Sequence, residues 1–308
     1  MQHNKDTYLY KVLDYVDSHL TDPLPLKTLA DISTYSPFHF QRMFKETMGE
    51  TPAQYVKRLR LEEAAHLLIY EQQLSVTEVA FQSGFTSSSY FTSAFSAYFH
   101  RSPRQWREGG YLDHFSRPYQ HSKKSKLYSN NKQDDSTQAT YTEYSWLDIN
   151  EVKVVHLPPC MMVTRQSIGP YTEGIPSVWE DVYQWADSRD VLKKSSMTLG
   201  APKSNPYITP PEKSRYECCL EVTEAEAPEE ILKPFNGGKH VLYTFHQPVS
   251  YEDRSYLMEC YGELYSFWLP KSGFRYLENP IEFVTFDKGE NSSLQVHISA
   301  IALAIEPK

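Results

Sequence analysis

The segment that begins at Ser36, SPFHFQRMFK, combines side chains that can recognise nucleic-acid bases with side chains that can neutralise phosphates. Arg42 can donate two hydrogen bonds to guanine, and the amide of Gln41 can make a two-point pair with adenine. In a helix, Phe40 and Phe44 lie on one face and pack into a core. The opposite face then presents the candidate nucleic-acid contacts, which are Ser36, Phe38, His39, Gln41, Arg42 and Lys45.

A related segment follows further along the chain. ADISTYSPFHFQRMFKETMGETPAQY from Ala30 and AFQSGFTSSSYFTSAFSAYFHRSPRQW from Ala80 each predict a helix, a tight turn, a second helix and a proline that leads into another helix. One such unit can be plain helix packing, whereas two copies favour DNA binding. Ser36 and Ser87 stand where a hydroxyl caps the second helix of each unit, at an end that can also receive a phosphate. The second copy has no Arg or Lys between Thr86 and His100, so we expect the first copy to carry most of the sequence recognition.

The two copies resemble the AraC/XylS family of regulators, in which a long helix bridges two helix-turn-helix units. The resemblance covers about residues 8–108 and lies in SPFHFQRMFKETMGETPAQYVKRLRLEEAAHLL (Ser36 to Leu68) and VTEVAFQSGFTSSSYFTSAFSAYFHRSPRQWR (Val76 to Arg107). It implies a bridging helix from about Thr51 to Tyr70, in which Arg60 is structural. The base-reading positions that it implies are Phe38, Gln41 and Arg42 in the first unit and Ser88, Ser89, Tyr90 and Ser93 in the second.

Three further positions of this half carry expectations of their own. Thr34 stands at the first turn, where a glycine is common, and we expect a modest backbone penalty there. Lys57 and Arg58 form a basic run on the bridging helix. We interpret that run as a solvated helix face rather than as a set of DNA contacts.

The net charge of −8 argues against nucleic-acid binding until it is divided along the chain. Residues 1–110 carry 11 Lys+Arg and 12 Asp+Glu, residues 111–140 carry 5 and 3, and residues 141–308 carry 15 and 24. The acidity therefore belongs to the carboxyl-terminal half. The polar stretch HSKKSKLYSNNKQDDSTQAT between the halves is typical of a linker. The predicted organisation is a DNA-binding domain over 1–110, a linker over 111–145 and an effector-binding domain over 146–308.

The carboxyl-terminal half alternates short β-branched runs with two helical stretches, near 175–188 and 254–269, which predicts an α+β fold. Each helical stretch carries a tryptophan, Trp185 in the first and Trp268 in the second. The order of elements repeats once, so we expect two pseudo-repeated strand-helix-strand units with a cleft where they meet. The predicted fold class is therefore multidomain, an all-α double helix-turn-helix domain followed by an α+β domain.

VVHLPPCMMVTRQSIGPY, YGELYSFWLPKSGF and NPIEFVTF resemble the GyrI-like small-molecule-binding domain over about residues 149–308, and together with the helical half they resemble the Rob-like architecture. QPVSYEDRSY departs from that family, because it stands in place of a glycine-containing turn. The resemblance implies a cleft for cationic or aromatic compounds, with Glu282 as its acidic residue. Glu282 faces this cleft if its strand neighbours Ile281 and Phe283 pack into the core. The candidate ligand contacts are Glu282, Tyr171, Trp179, Tyr207 and Trp268.

Three functions stay open at this level. The first is a regulator controlled by a small molecule, and the second is a regulator whose carboxyl-terminal domain is a ligand-independent structural or polymerase-contacting module. The third is a bifunctional protein with GyrI-like hydrolase activity, in which Glu282 acts as a base together with Tyr171 or Tyr207. The fused helix-turn-helix half favours sensing, and no GxSxG, HExxH or P-loop motif occurs. We therefore expect no enzyme and no catalytic residue.

Other classes are excluded by spacing and hydropathy. The four cysteines and 11 histidines lack metal-ligand spacing, so we expect free thiols, no metal site and no cofactor. The amino-terminal MQHNKDTYLY has no apolar signal-peptide core, and no apolar run is long enough to span a membrane. We expect a cytoplasmic protein without a membrane partner. Its expected partners are double-stranded DNA, a small-molecule effector and, as a further candidate, RNA polymerase.

Overall fold

The described part of the chain comprises residues 2–113, 147–192, 197–206, 208–227, 232–277, 279–288 and 294–308 of a computed structural model. Its contacts divide the chain into two units, Met1–His114 and Phe115–Lys308. The predicted linker, residues 111–145, lies outside the described residues from position 114 onward. The predicted domain boundaries therefore stay predictions.

The helices of the first unit begin at capping residues that the sequence provides locally. Ser36 accepts a hydrogen bond from the backbone N–H of His39 at 3.4 Å, and Ser87 accepts one from Tyr90 at 3.3 Å, which confirms the predicted caps. Thr51 forms a reciprocal capping box with Gln54. The described helices of this unit are α1 (Gln2–Ser18), α2 (Leu26–Ile32), α3 (Pro37–Met48), α4 (Pro52–Tyr70), α5 (Val76–Gln82), α6 (Ser88–Phe99) and α7 (Pro103–Arg107), followed by a 3₁₀ turn (Gly110–Asp113).

Aromatic packing holds the second helix of each helix-turn-helix unit against the bridging helix α4. Phe44 of α3 meets Tyr55 of α4 edge-on, with ring centroids 5.3 Å apart. Trp106, which stacks edge-on against Phe95 of α6, donates its indole N–H to the carbonyl of Ala65 on α4 at 3.1 Å. Burial of each such side chain contributes about 1.5–3 kcal/mol. Because these inner faces are buried, the opposite faces of α3 and α6 are left for a partner.

The turn of each helix-turn-helix unit uses a left-handed residue. In the second helix-turn-helix unit, Gly84 has φ +82°, and a Cβ there would meet the backbone of Leu20 and Thr21 at 2.9 Å. In the first helix-turn-helix unit, Thr34 adopts φ +61°, the strained backbone conformation that its place at the turn predicts. A β-branched residue in this region is strained, by about 1–2 kcal/mol for an L residue.

Arg58 corrects one expectation drawn from the sequence. Its side chain is buried rather than solvated, and it pairs with Glu50 at 2.8 Å and with Glu62 at 3.0 Å. Burial lowers the pKa of Arg58, but the charges of Glu62 and Glu50 outweigh that effect and hold the pKa above its ordinary value. Arg60 is structural, as the family resemblance implies, because it donates to the carbonyls of Leu20 and Asp22 at 2.8 and 2.6 Å.

The second unit is built on one antiparallel sheet. The strands are β1 (Val152–Leu157), β2 (Cys160–Ile168), β3 (Thr198–Pro202), β4 (Arg215–Val222), β5 (Leu232–Phe235), β6 (Gly238–Ser250), β7 (Phe274–Tyr276), β8 (Ile281–Lys288) and β9 (Leu294–Pro307). The helices are α8 (Ile175–Asp187) and α9 (Arg254–Glu263), which continues through a π-helical turn (Leu264–Trp268) into α10 (Leu269–Lys271); 3₁₀ turns lie at Ile149–Glu151 and Pro211–Lys213. The strands pair in the order β1-β6-β9-β8-β3-β4-β2-β5, and β7 pairs with β9. The two helical stretches fall where the sequence predicts them, and α8 packs on β2 and β4.

The strand order contains the predicted repeat. Counted outward from the middle of the sheet, one side runs β3-β4-β2 and the other runs β8-β9-β6. In each set the outermost strand comes first in the chain and is followed by a helix and two more strands. The two copies meet where β3 pairs with β8, and Gly200 lies opposite Glu282 in that register. This junction is the place where a pseudo-twofold fold brings equivalent surfaces together.

The four cysteines are free, and three of them, Cys218, Cys219 and Cys260, are buried, while Cys160 is half-buried. No described helix is long and apolar enough to cross a membrane. Within the same described ranges, no group of three or more His, Cys, Asp or Glu side chains could hold a metal ion.

Candidate nucleic-acid interface and buried acidic site

Helix α3 and its cap carry the predicted DNA contacts of the first helix-turn-helix unit, most of them exposed. Ser36, Gln41, Arg42 and Lys45 are exposed, and the Phe38 ring is 79% exposed. His39 is half-buried and meets Tyr35 edge-on at 4.8 Å. The Arg42 side chain is 61% exposed, with Glu46 at 3.9 Å. A cation held this loosely at the surface can turn toward a partner at little free-energy cost.

Helix α6 presents hydroxyls in place of cations. The hydroxyl of Ser93 donates to the carbonyl of Ser89 at 3.1 Å, which leaves it as a weak donor for a base. Ser88 is half-buried and shares a hydrogen bond with Thr77 at 3.4 Å, whereas Ser87 and Ser89 are exposed. This face can contact phosphates and fit a groove, but it offers fewer directional donors than α3.

Lys57 brings a positive charge close to α6, the recognition helix of the second helix-turn-helix unit, which has no Lys or Arg of its own. Its ammonium lies 5.4 Å from the ring centroid of Tyr90, a residue of α6 that is 55% exposed. Sequence reasoning placed Lys57 on a solvated face, and Lys57 is indeed exposed. Its proximity to Tyr90 depends on how α4 and α6 pack, which no local pattern reveals.

Glu282, the predicted acidic residue of the cleft, is completely buried on β8. Its neighbours Ile281 and Phe283 pack against a cluster that contains Met162 and Leu199. Glu282 points to the other face of the sheet, as alternation along a strand requires. Burial of a carboxylate costs free energy unless hydrogen bonds and an opposite charge compensate it.

The partners of Glu282 satisfy both carboxylate oxygens. Oε1 accepts from Arg254 at 2.7 Å and from the Tyr261 hydroxyl at 2.7 Å. Oε2 accepts from Arg254 at 3.1 Å and from the Tyr216 hydroxyl at 2.6 Å. Four donors fill the roughly four lone-pair positions of a carboxylate. Glu282 is therefore a saturated acceptor in this arrangement.

Arg254 is almost as deeply buried as its partner Glu282. Its side chain is 6% exposed. Its guanidinium carbon lies 5.0 Å from the ring centroid of Tyr251, 5.5 Å from that of Tyr171 and 5.9 Å from that of Tyr216, all within cation–π range. Burial lowers the pKa of Arg254, but the charge of Glu282 outweighs it and raises the pKa well above the ordinary value. The site is thus a buried Arg254–Glu282 pair, in which tyrosine hydroxyls donate to the carboxylate and tyrosine rings surround the guanidinium.

The tyrosines of this site act as proton donors, not as bases. Burial, followed by the charge of Glu282, raises the pKa of the Tyr216 and Tyr261 hydroxyls well above the ordinary value. The hydroxyl of Tyr171 lies 2.9 Å from both the Ser204 and Arg215 carbonyls, so its proton is directed to the backbone. Each of these three hydroxyls is therefore held as a hydrogen-bond donor.

The predicted aromatic walls are only partly brought together. Tyr171 lies in the site and contacts Arg254 with its ring. Trp179 is fully buried in α8 and packs edge-on against Phe286 at 5.4 Å. Trp268 is half-buried and lies parallel to Phe274 with centroids 6.2 Å apart. Tyr207, the fourth candidate, lies outside the described residues.

Sequence reasoning missed most of the residues that surround Glu282. These residues come from β3, β4, α9 and the turn before α9, so no spacing links them to one another. One local signal existed in Gly200, since a glycine inside a strand often marks a close approach. A Cβ at this position would collide with the Tyr216 hydroxyl. A second signal was QPVSYEDRSY, the segment that departs from the GyrI-like pattern. The missed residues are Gly200, Tyr216, Tyr251, Arg254 and Tyr261.

Comparison with known proteins finds two families in separate parts of the chain. Residues 29–109 match the helix-turn-helix domain family, and residues 150–298 match the GyrI-like small molecule binding domain. Over 101 residues the chain is 36% identical to the probable transcription factor PqrA of Proteus vulgaris, a match that covers 32% of this chain and 82% of PqrA. The chain belongs to the AraC family of transcription regulators.

Other AraC-family proteins also match about a third of the chain. The transcriptional activator RhaS of Enterobacter sp. strain 638 is 35% identical over 106 residues, which are 34% of this chain. The match covers 38% of the length of RhaS. A crystal structure of an AraC-type regulator from Chromobacterium violaceum is 26% identical over 34% of this chain and 93% of that chain, with a TM-score of 0.32. The family resemblance and the multidomain fold class predicted from the sequence are confirmed.

Proposed function

We propose that this AraC-family chain is a sequence-specific, DNA-binding transcription regulator that reads its site mainly through α3. The observation that carries the proposal is the contrast between the two recognition helices. Gln41 and Arg42 are consecutive residues of α3 and both are exposed, whereas α6 exposes hydroxyls and one tyrosine ring. Arg and Gln pair with base edges in two-point geometry, and hydroxyl groups discriminate bases less strongly.

The remaining predicted contacts have supporting roles. Phe38 is the most exposed aromatic side chain of α3 and can pack on a thymine methyl group. Lys45 and Lys57 can neutralise phosphates, and the capped amino ends of α3 and α6 suit phosphate binding. We assign His39, Ser88, Ser89, Tyr90 and Ser93 to positioning rather than to base selection. Two recognition helices in successive major grooves then occupy an asymmetric site.

Selection of duplexes from a random library by the full chain tests this role. We expect enrichment of a site in which one half-site is strongly constrained and the other is tolerant of substitution. Equal constraint in both half-sites would contradict the division of roles between α3 and α6. Failure to enrich any sequence would contradict the regulator proposal itself. We therefore propose that the protein acts in the bacterial cytoplasm, where such a DNA target lies.

The second unit then acts as an effector-binding domain for a small cationic or aromatic molecule. The supporting observation is that Glu282 and its tyrosines already hold a guanidinium, so the chemistry for an organic cation is present. We assign Glu282 and Tyr171 to this site. Trp179, Tyr207 and Trp268 stay predicted contacts of the same domain. We do not assign Glu282 a catalytic role, because both of its oxygens already accept two hydrogen bonds.

A ligand-independent second unit, including one that contacts RNA polymerase, is the competing function. The buried Arg254–Glu282 pair favours the ligand-independent function, because Arg254 already fills the site. Reporter output from the selected site, measured with and without organic cations and flat aromatic compounds, separates the two. A change in output that Glu282→Gln abolishes supports an effector domain. Output that no compound alters supports the ligand-independent module.

A further inference from the structure

The cation that neutralises Glu282 is part of the chain itself. We propose that Arg254 is a built-in occupant of the cation site, so that an organic cation binds the second unit only by displacing this side chain. The inference rests on the proposed effector role of the unit. It names the competitor that any cationic effector must replace.

The contacts of Arg254 match those of a bound ligand. Two guanidinium nitrogens donate to the two oxygens of Glu282 at 2.7 and 3.1 Å, and three tyrosine rings surround the guanidinium carbon at 5.0–5.9 Å. An acidic group inside an aromatic cage is a recognised arrangement for organic cations. The Arg254 guanidinium occupies the carboxylate oxygens of Glu282 and the faces of the three tyrosine rings. A second cation therefore cannot make the same contacts while Arg254 stays in place.

The segment that supplies Arg254 also supplies part of the cage. Tyr251 and Arg254 both belong to QPVSYEDRSY. The turn is held by the Tyr251 N–H, which donates to Val296 at 3.0 Å, and by the Tyr251 hydroxyl, which donates to the carbonyl of Tyr171 at 2.8 Å. Asp253 caps α9 by accepting from the backbone N–H of Tyr256 at 3.2 Å. These bonds hold the turn so that Arg254 enters the site as the first residue of α9.

Two features make displacement of Arg254 feasible. The Nε atom of Arg254 is buried and has no hydrogen-bond partner among the described residues, so this guanidinium is incompletely satisfied. A quaternary ammonium ion has no N–H group and avoids that penalty. Arg254 also lies in the first turn of α9, where a helix opens more readily than in its middle. Release of the side chain therefore requires rearrangement of one turn, not of the sheet.

Binding of small cations to the full-length chain tests the proposal by calorimetry. The probes are ethylguanidinium, which reproduces the end of the arginine side chain, and benzyltrimethylammonium, which suits an aromatic cage. We expect Arg254→Ala to bind both probes at least tenfold more tightly than the wild-type chain. Arg254→Met should gain less, because its side chain refills part of the space. Glu282→Gln added to Arg254→Ala should remove the gain.

Arg275 provides a matched control in the same unit. It also pairs with a glutamate, Glu306, at 2.6 Å, but its side chain is 64% exposed. Arg275→Ala should leave probe binding at the wild-type level. If Arg254→Ala does not fold by itself, circular dichroism should show that ethylguanidinium restores folding, and that it does not do so when Glu282 is also changed.

The outcomes separate this proposal from the effector proposal. Tight binding of a probe to the wild-type chain, dependent on Glu282 and unchanged by Arg254→Ala, would overturn the built-in occupant and leave the effector role standing. If Arg254→Ala folds but binds neither probe, both the built-in occupant and the proposal of a cationic effector are overturned. The same holds if Arg254→Ala is unfolded and ethylguanidinium does not restore its fold. DNA affinity measured without any probe tests the regulator proposal independently of these results.

Discussion

Arg42→Ala should weaken binding to the selected DNA site by about 1–3 kcal/mol, which is roughly a 5- to 150-fold loss of affinity. The structure sets this expectation in two ways. Arg42 is 61% exposed, and its ion pair with Glu46 spans 3.9 Å between exposed side chains, so turning toward a base sacrifices about 0–1 kcal/mol at most. Ser93→Ala should cost clearly less, because that hydroxyl already donates to the Ser89 carbonyl.

Fluorescence anisotropy at several salt concentrations provides the measurement, with the selected duplex and a scrambled duplex compared for each variant. A base contact changes affinity for the selected duplex more than for the scrambled one. A pure phosphate contact lowers both and reduces the salt slope by about 1. Arg104→Ala is the matched control, since Arg104 is 85% exposed and also pairs with a glutamate four residues on, Glu108.

The reasoning about α3 would be refuted by equal losses for Arg42→Ala and Ser93→Ala. It would also be refuted if Arg42→Ala reduced binding to the scrambled duplex as much as binding to the selected duplex. A loss for Arg104→Ala as large as that for Arg42→Ala, confined to the selected duplex, would move base recognition away from α3.

Three further predictions concern stability and are measured by denaturant unfolding. Thr34→Gly should stabilise the first unit by about 1 kcal/mol, because φ +61° strains a threonine. The larger conformational entropy of glycine in the unfolded chain offsets part of the strain that is relieved. Gly200→Ala should destabilise the second unit by about 1–3 kcal/mol, since the new Cβ collides with the Tyr216 hydroxyl. Burial raises the pKa of Glu217, but the charges of Lys203 and Lys233 outweigh it and lower the pKa from 4.5 to about 2. Its contribution, on the order of 3 kcal/mol, is present above pH 4.5 and should be lost as the pH falls toward 2.

Each of these changes has a partner experiment. Thr34→Ala keeps a side chain at the left-handed position and should gain less than Thr34→Gly; the reverse order would argue against backbone strain. Gly200→Ala combined with Tyr216→Phe should cost less than the sum of the two single changes, and simple additivity would contradict the collision. Glu217→Gln should flatten the acid limb of the stability profile. An unaltered acid limb would show that Glu217 does not contribute to it.

The helical half was predictable because its signals are local. A capping hydroxyl bonds to the backbone three residues ahead, and the inner face of α3 follows from helical spacing alone, so Ser36 and Phe40 could be assigned by reading along the chain. The strained turn at Thr34 was likewise visible in the residue type. Arg58 was assigned wrongly, because its burial depends on Glu50 from outside α4 as well as on Glu62 within it. A periodic pattern cannot show that two acids converge on one cation.

The sequence by itself determined the double helix-turn-helix, the α+β half, the acidic residue and the segment that departs from the GyrI-like pattern. Only the tertiary structure decided what surrounds Glu282. Its partners Arg254 and Tyr216 are 28 and 66 residues away along the chain. They meet it because β3 pairs with β8, because Gly200 leaves space in that pairing, and because α9 begins at Arg254. Strand order and helix position are set by the packing of the whole sheet, so the filling of the cation site by the chain's own arginine is a property of the fold that no local pattern contains.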